Sequence, residues 1–130
     1  MIAVERRVVS VLAVVLPFVG GCGLLPESPV CLAIISPAIT LDIRDSVTNA
    51  ALSNAVAIAR DGAYTDTAQI SQMPRPDTVY DVALGRSGAY AVVVSHTGYR
   101  QWQRDAVRVR RGDCGPETVR LDVRMQPSTP

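Results

Sequence analysis

The chain has 130 residues, with 13 basic residues, all of them arginine, against 12 acidic residues and one histidine. The net charge of +1 excludes the basic excess that electrostatic binding to nucleic acid requires. Once Cys22 has another role, two cysteines and one histidine remain, which are too few for a conventional zinc site. We expect neither a metal nor another cofactor.

The first 21 residues have the pattern of a cleaved signal peptide. The basic pair Arg6-Arg7 precedes an apolar stretch, Val8 to Val19, of about a dozen residues, whereas a membrane-spanning helix needs roughly 20. The run Val19-Gly20-Gly21-Cys22 then resembles the lipobox of bacterial lipoproteins. The alternative is an ordinary secretory signal that is cut elsewhere, with Cys22 incidental.

The lipoprotein resemblance implies that Cys22 becomes the first residue of the mature protein and carries lipid, including palmitate-type acyl chains. Two or three chains suffice for stable anchoring in a membrane of the cell envelope. The protein would then face the periplasm or the exterior. Gly23 is not the aspartate associated with inner-membrane retention, which is compatible with outer-membrane sorting if the host is Gram-negative.

Cys31 and Cys114 remain when Cys22 is lipidated, and two cysteines allow a single pairing. Outside the cytoplasm such a disulfide persists, and we expect it to form. It would close a loop of about 80 residues, worth roughly 4 kcal/mol at most in the chain-entropy model. The alternative is two unpaired thiols.

The mature chain is long enough for one domain. We expect a lipidated N-terminus and spacer at 22–30, a β-sandwich at 31–125 and a disordered tail at 126–130. Apolar residues alternate with polar ones through most of the domain, as in half-buried strands. The predicted strands lie at Ile39–Ile43, Asn54–Arg60, Tyr80–Leu84, Tyr90–Val94, Val107–Val109 and Val119–Met125.

Turn residues separate these strands at the spacing typical of a sandwich. They are Asp61-Gly62, Pro74-Arg75-Pro76, Arg86-Ser87-Gly88, Thr97-Gly98 and Gly112-Asp113. The alanine-rich segment Asn49–Arg60 also has helix propensity. We expect a loop at Ala50–Ser53 and a strand from Asn54, with a partly helical segment as the alternative.

Several motifs resemble carboxypeptidase regulatory-like domains. The run Leu41–Val56 is similar to the opening of that family, with Asn49 where Gly is usual and Ala51 where Pro is common. The run Ser87–Val94 and the later Gly98-Tyr99 are similar to its Gly-x-Tyr strand and Gly-Tyr turn. The resemblance covers most of residues 38–125, and Asn49 tolerates the left-handed backbone that the turn needs.

The resemblance implies an all-β fold, namely a seven-stranded, transthyretin-like Greek-key sandwich. Such domains act as accessory, stabilising or binding modules beside other machinery, although a fold alone does not determine a function. We therefore expect a noncatalytic accessory or ligand-binding module of the cell envelope. The alternative is a structural module that docks onto another envelope protein through the edge of a sheet.

The candidate ligand-binding surface consists of Tyr99, Arg100, Trp102 and Arg104, which combine aromatic rings with planar guanidinium donors suited to a peptide or a carbohydrate. Burial of Trp102 against the sandwich is the alternative. A hydrolase centred on His96 is the least favoured function, because no nucleophile motif surrounds the nearby serines.

Overall fold

The computed structural model describes residues 27–71 and 79–129. Within these ranges every regular element is a β-strand, which confirms the predicted all-β class. The predicted signal peptide, the lipidated Cys22 and the turn Pro74-Arg75-Pro76 lie outside the described residues.

The strands form two four-stranded sheets, which confirms the predicted sandwich architecture. The first sheet has the order β10-β1-β5-β4, and β1 pairs parallel with β10 and antiparallel with β5. The second sheet has the antiparallel order β3-β2-β6-β7, and β8 and β9 form a separate hairpin. The bounds are β1 Pro37–Asp45, β2 Val56–Asp61, β3 Tyr64–Thr67, β4 Gln69–Ile70, β5 Val79–Leu84, β6 Gly88–Ser95, β7 Trp102–Val109, β8 Arg111–Gly112, β9 Gly115–Pro116 and β10 Val119–Met125.

Alternation of apolar and polar residues directs one face of each sheet into a shared core. The largest fully buried side chains come from both sheets: Ile39, Leu41, Ile43, Val82, Tyr90, Val92, Val94, Val123 and Met125. The β-branched residues among them suit a pleated, buried surface. Burial of this apolar area is the main driving force for the fold.

Strand β1 is buried on both faces because it lies inside the first sheet. On its outer face, the hydroxyl of Thr40 donates to the carboxylate of Asp81 at 3.0 Å. The Asp42 carboxylate is paired with Arg44 at 3.0 Å and with Arg120 at 3.2 Å. These partners satisfy the polar groups that the neighbouring strands cover.

The strand registers define two ends of the sandwich. Pro37 pairs with Leu84, and a short connection from Leu84 leads to Gly88, which pairs with Val109. This end also holds the β8–β9 hairpin and the start of β10, so we call it the disulfide end. The opposite end holds the last residues of β1, β6 and β10, including Asp45 and Ser95.

The predicted disulfide between Cys31 and Cys114 is present, with the two Cα atoms 5.2 Å apart. It joins the segment before β1 to the turn of the β8–β9 hairpin. The N-terminal part of the domain is thereby held at the disulfide end.

The residues before β2 form a loop, as predicted at Ala50–Ser53, and Val56–Asp61 is a strand rather than a helix. Asn49 has φ of 61°, the left-handed conformation expected of it. The side chains of β2 that face the core are not its larger apolar ones, Val56 and Ile58. Ala57 and Ala59 are buried, because they pair with the inward-facing Val94 and Val92 of β6.

The C-terminal tail, predicted to be disordered, is instead paired over residues 126–128. Tyr99 forms an antiparallel bridge with Pro127, and the Arg100 amide donates to the Gln126 carbonyl at 2.8 Å. The Ser128 amide donates to the Gly98 carbonyl at 2.9 Å. The tail is ordered because the 98–100 segment presents unpaired backbone groups directly beyond the end of β10.

Candidate ligand-binding surface

The predicted binding residues lie in the connection between β6 and β7 and in the first residues of β7, at the end opposite the disulfide. A turn starts at His96, because the Tyr99 amide donates to the His96 carbonyl at 3.1 Å. Gly98 occupies its third position with φ of 84°, a conformation that glycine adopts without steric cost. The turn directs the chain into β7 and brings residues 99–104 to the surface.

The side chain of Tyr99 makes its contacts within the fold. Its hydroxyl donates to Oδ2 of Asp45 at 2.7 Å, and its ring lies edge-on to the imidazole of His96 with centroids 5.1 Å apart. The side chain is half-buried and packs against the core. Of the four predicted residues, Tyr99 therefore positions the loop instead of presenting a free aromatic face.

Asp45 organises this end of the sandwich from the last position of β1. Its Oδ1 accepts hydrogen bonds from the amides of Val47 at 2.7 Å and Thr48 at 2.9 Å. The Thr48 amide first, then the Tyr99 hydroxyl and the Val47 amide, hold the pKa of Asp45 below its ordinary value. The same contact raises the pKa of Tyr99, since a phenolate would place a second negative charge beside the carboxylate.

Trp102 and Arg104 form the aromatic part of the surface. Trp102 begins β7 opposite Val94 and is half-buried, with one part packed against the core and another open to solvent. Arg104 lies two residues further along the same face and places its guanidinium 5.4 Å from the centroid of the Trp102 ring. This cation–π contact holds a positive charge over the indole.

Arg100 borders a concavity of about 200 Å³ that also includes Gln101, Trp102, Arg124 and Gln126. Arg124 is oriented by a hydrogen bond from its guanidinium to Oδ1 of Asn49 at 2.6 Å. For Arg100, the described contacts include no side-chain partner, so its donors face solvent. The structure therefore brings Arg100 and Trp102 into one concave site, and Arg104 stands over the ring.

Arg124, Gln101 and Gln126 also belong to this site, although the sequence did not predict them. The alternation in β10 places Arg124 on the solvent face, but no local pattern indicates that the end of β10 lies beside the start of β7. A broader depression of about 760 Å³, lined by 45–48, Arg100 and 126–129, adjoins the concavity. The tail builds part of both walls.

His96 does not form the arrangement that a hydrolase needs. Its two ring nitrogens lie 2.9 Å from the Thr97 carbonyl oxygen and 2.8 Å from the Ser53 carbonyl oxygen. The contacts described for this ring thus involve main-chain oxygens and the Tyr99 ring, not a serine hydroxyl or a carboxylate. The imidazole links the loop before β2 to the turn after β6.

A second cleft, of about 320 Å³, lies beside β3, β4 and β5, away from the predicted surface. Its walls are largely apolar and include Ile35, Ile70 and Leu84. Its two carboxylates have structural contacts, since Asp66 accepts from the Ala83 amide at 2.8 Å and Asp81 accepts from Thr40. No sequence motif indicated this cleft.

Residues 27–71 and 79–129 contain no group of three or more histidine, cysteine, aspartate or glutamate side chains that could hold a metal ion. The same part of the chain contains no helix long and apolar enough to cross a membrane. No protein-family model matches the chain, and no curated protein matches it either. The likeness to carboxypeptidase regulatory-like domains therefore stays a prediction from the sequence motifs.

Proposed function

We propose that the chain is a lipid-anchored extracytoplasmic lipoprotein whose β-sandwich is a noncatalytic ligand-binding module of the cell envelope. Cys22 carries the lipid, and the concavity at Arg100 and Trp102 binds the ligand. The ligand is a peptide or a carbohydrate with a carboxylate group. The observation that carries the proposal is a partly exposed aromatic ring beside guanidinium groups that form no described ion pair with an acidic residue.

The chemistry of this surface supports a carboxylate-bearing ligand. Guanidinium groups bind carboxylates through paired, charge-assisted hydrogen bonds, and the exposed part of the indole provides an apolar contact. Gln101 and Gln126 add amide donors and acceptors at the rim. The paired backbone of 98–100 and 126–128 holds these groups in place before any ligand arrives.

Two features support the proposed location of the protein outside the cytoplasm. The lipobox-like run ends at Cys22, nine residues before Cys31. A disulfide between Cys31 and Cys114 is compatible with an oxidising compartment, because cytoplasmic thiols are kept reduced.

The transthyretin-like Greek-key assignment is part of the same proposal. Within 27–71 and 79–129, seven strands have four residues or more: β1, β2, β3, β5, β6, β7 and β10. This number matches the seven strands that the family resemblance implies. The remaining strands have two residues each.

The sheet edges favour ligand binding over docking through an edge strand. The exposed edge strand β7 carries Arg104, Asp105 and Arg108, and a bulge interrupts its pairing with β6. Charges and bulges are the features that prevent an edge from pairing with another chain. The edge strand β10 carries the exposed charged residues Arg120, Asp122 and Arg124. The remaining edge strands, β3 and β4, have only four and two residues.

Titration of the protein with carboxylate-bearing oligosaccharides and peptides tests the binding surface. Trp102 is the single tryptophan of the chain, so its fluorescence reports the site directly. We expect a saturable change in emission and a loss of affinity of about tenfold in Arg100→Gln, because one charge-assisted interaction is removed. Arg108→Gln, at the other end of β7, is the matched control. No saturable change with any ligand, or equal losses in both variants, would contradict the proposed site.

Cell fractionation and intact-mass analysis test the anchor. The wild-type protein should remain in the membrane fraction and should carry acyl chains at an N-terminal Cys22. Cys22→Ser should appear in the soluble envelope fraction without lipid. Unchanged membrane retention of Cys22→Ser, or an unmodified wild-type N-terminus, would refute the anchor while leaving the fluorescence test of the ligand surface intact.

A further inference from the structure

We propose that the disulfide end of the sandwich carries a membrane-contacting surface, so that the domain stands on the lipid bilayer with its ligand surface pointing away. The contact surface, which we call the anchor-side patch, consists of Val30, Leu32, Ile34, Ile35 and Leu84. This inference rests on the proposed lipid anchor at Cys22. It adds an orientation that the anchor alone does not impose.

The anchor-side patch is strongly apolar and strongly exposed. Its five side chains are between 55 and 93 % exposed, in a domain whose other large apolar residues are mostly buried. Four of them occur within six consecutive residues, 30–35, where apolar side chains project without alternating into the core. A contiguous exposed apolar patch is a feature of interaction surfaces, including membrane contacts.

The patch is held against the domain instead of trailing from it. Cys31 lies between Val30 and Leu32 of the patch, and the disulfide fixes it to Cys114. The Ile34 amide donates to the Leu32 carbonyl at 2.7 Å, and the Gly85 amide donates to the Ser36 carbonyl at 2.8 Å. Ile35 and Leu84 line the same cleft, so the patch continues onto the end of β5.

A lipid surface is the occupant that fits the position of the patch. Leu32 follows the proposed lipidation site by ten residues, a reach of about 35 Å at most when fully extended. The tether therefore confines the patch to the neighbourhood of the bilayer, where insertion of its side chains is favourable by burial of apolar area.

The charges at the disulfide end are nearly balanced. Arg110 is paired with Glu117 at 2.9 Å, and Arg86 lies 3.5 Å from Asp61. The neighbouring Arg111 and Asp113 have opposite charges, and Arg108, at the same end of β7, leaves a small positive excess. The contact should therefore depend on apolar insertion and should be insensitive to salt and to anionic lipid.

This orientation separates the two surfaces along the length of the sandwich. The Arg100–Trp102 concavity lies at the end of β6, and the patch lies beyond its start. Strand β6 has eight residues, which corresponds to about 26 Å. The ligand surface would thus stand well clear of the bilayer and remain accessible.

Tryptophan quenching in vesicles tests the proposed contact. Lipidated full-length protein is reconstituted into phosphatidylcholine vesicles with and without brominated acyl chains, which quench only tryptophans that reach them. We expect Leu32→Trp to lose emission in the brominated vesicles. Val47→Trp, at a site of equal exposure on the opposite end, and the wild-type Trp102 should keep theirs. High salt should leave the quenching of Leu32→Trp unchanged.

Each outcome bears on one of the two proposals. Protein that floats with the vesicles while Leu32→Trp and a second reporter, Ile35→Trp, keep their emission would overturn the membrane contact alone. Equal quenching at positions 32 and 47, or its loss in high salt, would also overturn it. A protein that carries no lipid and does not float would overturn the anchor and, with it, this inference.

Discussion

Single side chains at the end of the sandwich opposite the disulfide connect segments that are distant in sequence. The Asp45 carboxylate accepts hydrogen bonds from two loop amides and from the hydroxyl of Tyr99, which lies 54 residues later in the chain. His96 contacts the carbonyl of Ser53, 43 residues earlier. Tyr99 was predicted as a binding residue and His96 was considered as a catalytic one. These contacts show that both side chains instead hold the loops in position.

The lowered pKa of Asp45 predicts a pH dependence of stability. A carboxylate that is more acidic in the folded chain stabilises it fully above its unfolded pKa, near 3.8. This contribution is lost as the pH falls through the lower folded value. Asp45→Asn should be less stable than the wild type at neutral pH, and the difference should shrink below about pH 4.

Urea denaturation between neutral and acidic pH measures this effect. Asp113→Asn is the control, because that exposed side chain has no contact among those described for the domain. A constant difference between Asp45→Asn and the wild type across the pH range would refute the prediction.

At the scale of elements, the bulge between β6 and β7 decides which residues of β7 face the core. Tyr90 pairs with Val107, whereas Val92 pairs with Arg104, so β7 contains one more residue than β6 in this interval. Val107 and Val109 are therefore buried. Trp102 and Arg104 lie on the same inner face of the sheet, where it meets solvent. Without the bulge, Trp102 would lie on the opposite face of β7 from Val107 and Val109.

Ala106 lies in this bulge with φ of 53°, a left-handed conformation that is costly for alanine. Ala106→Gly should raise the free energy of unfolding by about 0.5–1 kcal/mol, because the steric cost of the methyl group exceeds the entropy that glycine adds. Ala89→Gly, in the partner strand, should instead lower it by about 0.5–1 kcal/mol. Chemical denaturation of the two variants checks the prediction, and destabilisation by Ala106→Gly would contradict it.

At the scale of the whole molecule, the disulfide joins the N-terminal segment to the hairpin before β10. The two cysteines are 83 residues apart, so the bond closes a loop that includes most of both sheets. Its effect on stability should come chiefly from restricting the unfolded chain. The two proposed surfaces lie at opposite ends because β1, β6 and β7 run from one end of the sandwich to the other.

Replacement of both cysteines, Cys31→Ser with Cys114→Ser, should lower the free energy of unfolding by up to about 4 kcal/mol. The wild type in a reducing agent should match this double variant in urea denaturation. The reducing agent should leave the double variant itself unchanged. An unchanged urea midpoint after either treatment would show that the bond contributes nothing to stability.

The alternation of apolar residues determined the strands, because a half-buried strand must place every second side chain in the core. The positions of β1, β6 and β10 follow from it. The pairing of Cys31 with Cys114 followed from assigning Cys22 to the lipid, which left two cysteines. The left-handed turn at Asn49 could also be predicted, since few residue types tolerate that geometry.

Only the tertiary structure decided which face of β2 is buried, that the tail is ordered, and which residues make up the proposed binding surface. Ala57 and Ala59 face inward because β6 imposes the register, although Val56 and Ile58 are more apolar. Gln126 and Arg124 join Trp102 because the ends of β10 and β7 meet. Such pairings depend on contacts between distant segments, and local sequence patterns contain no record of them.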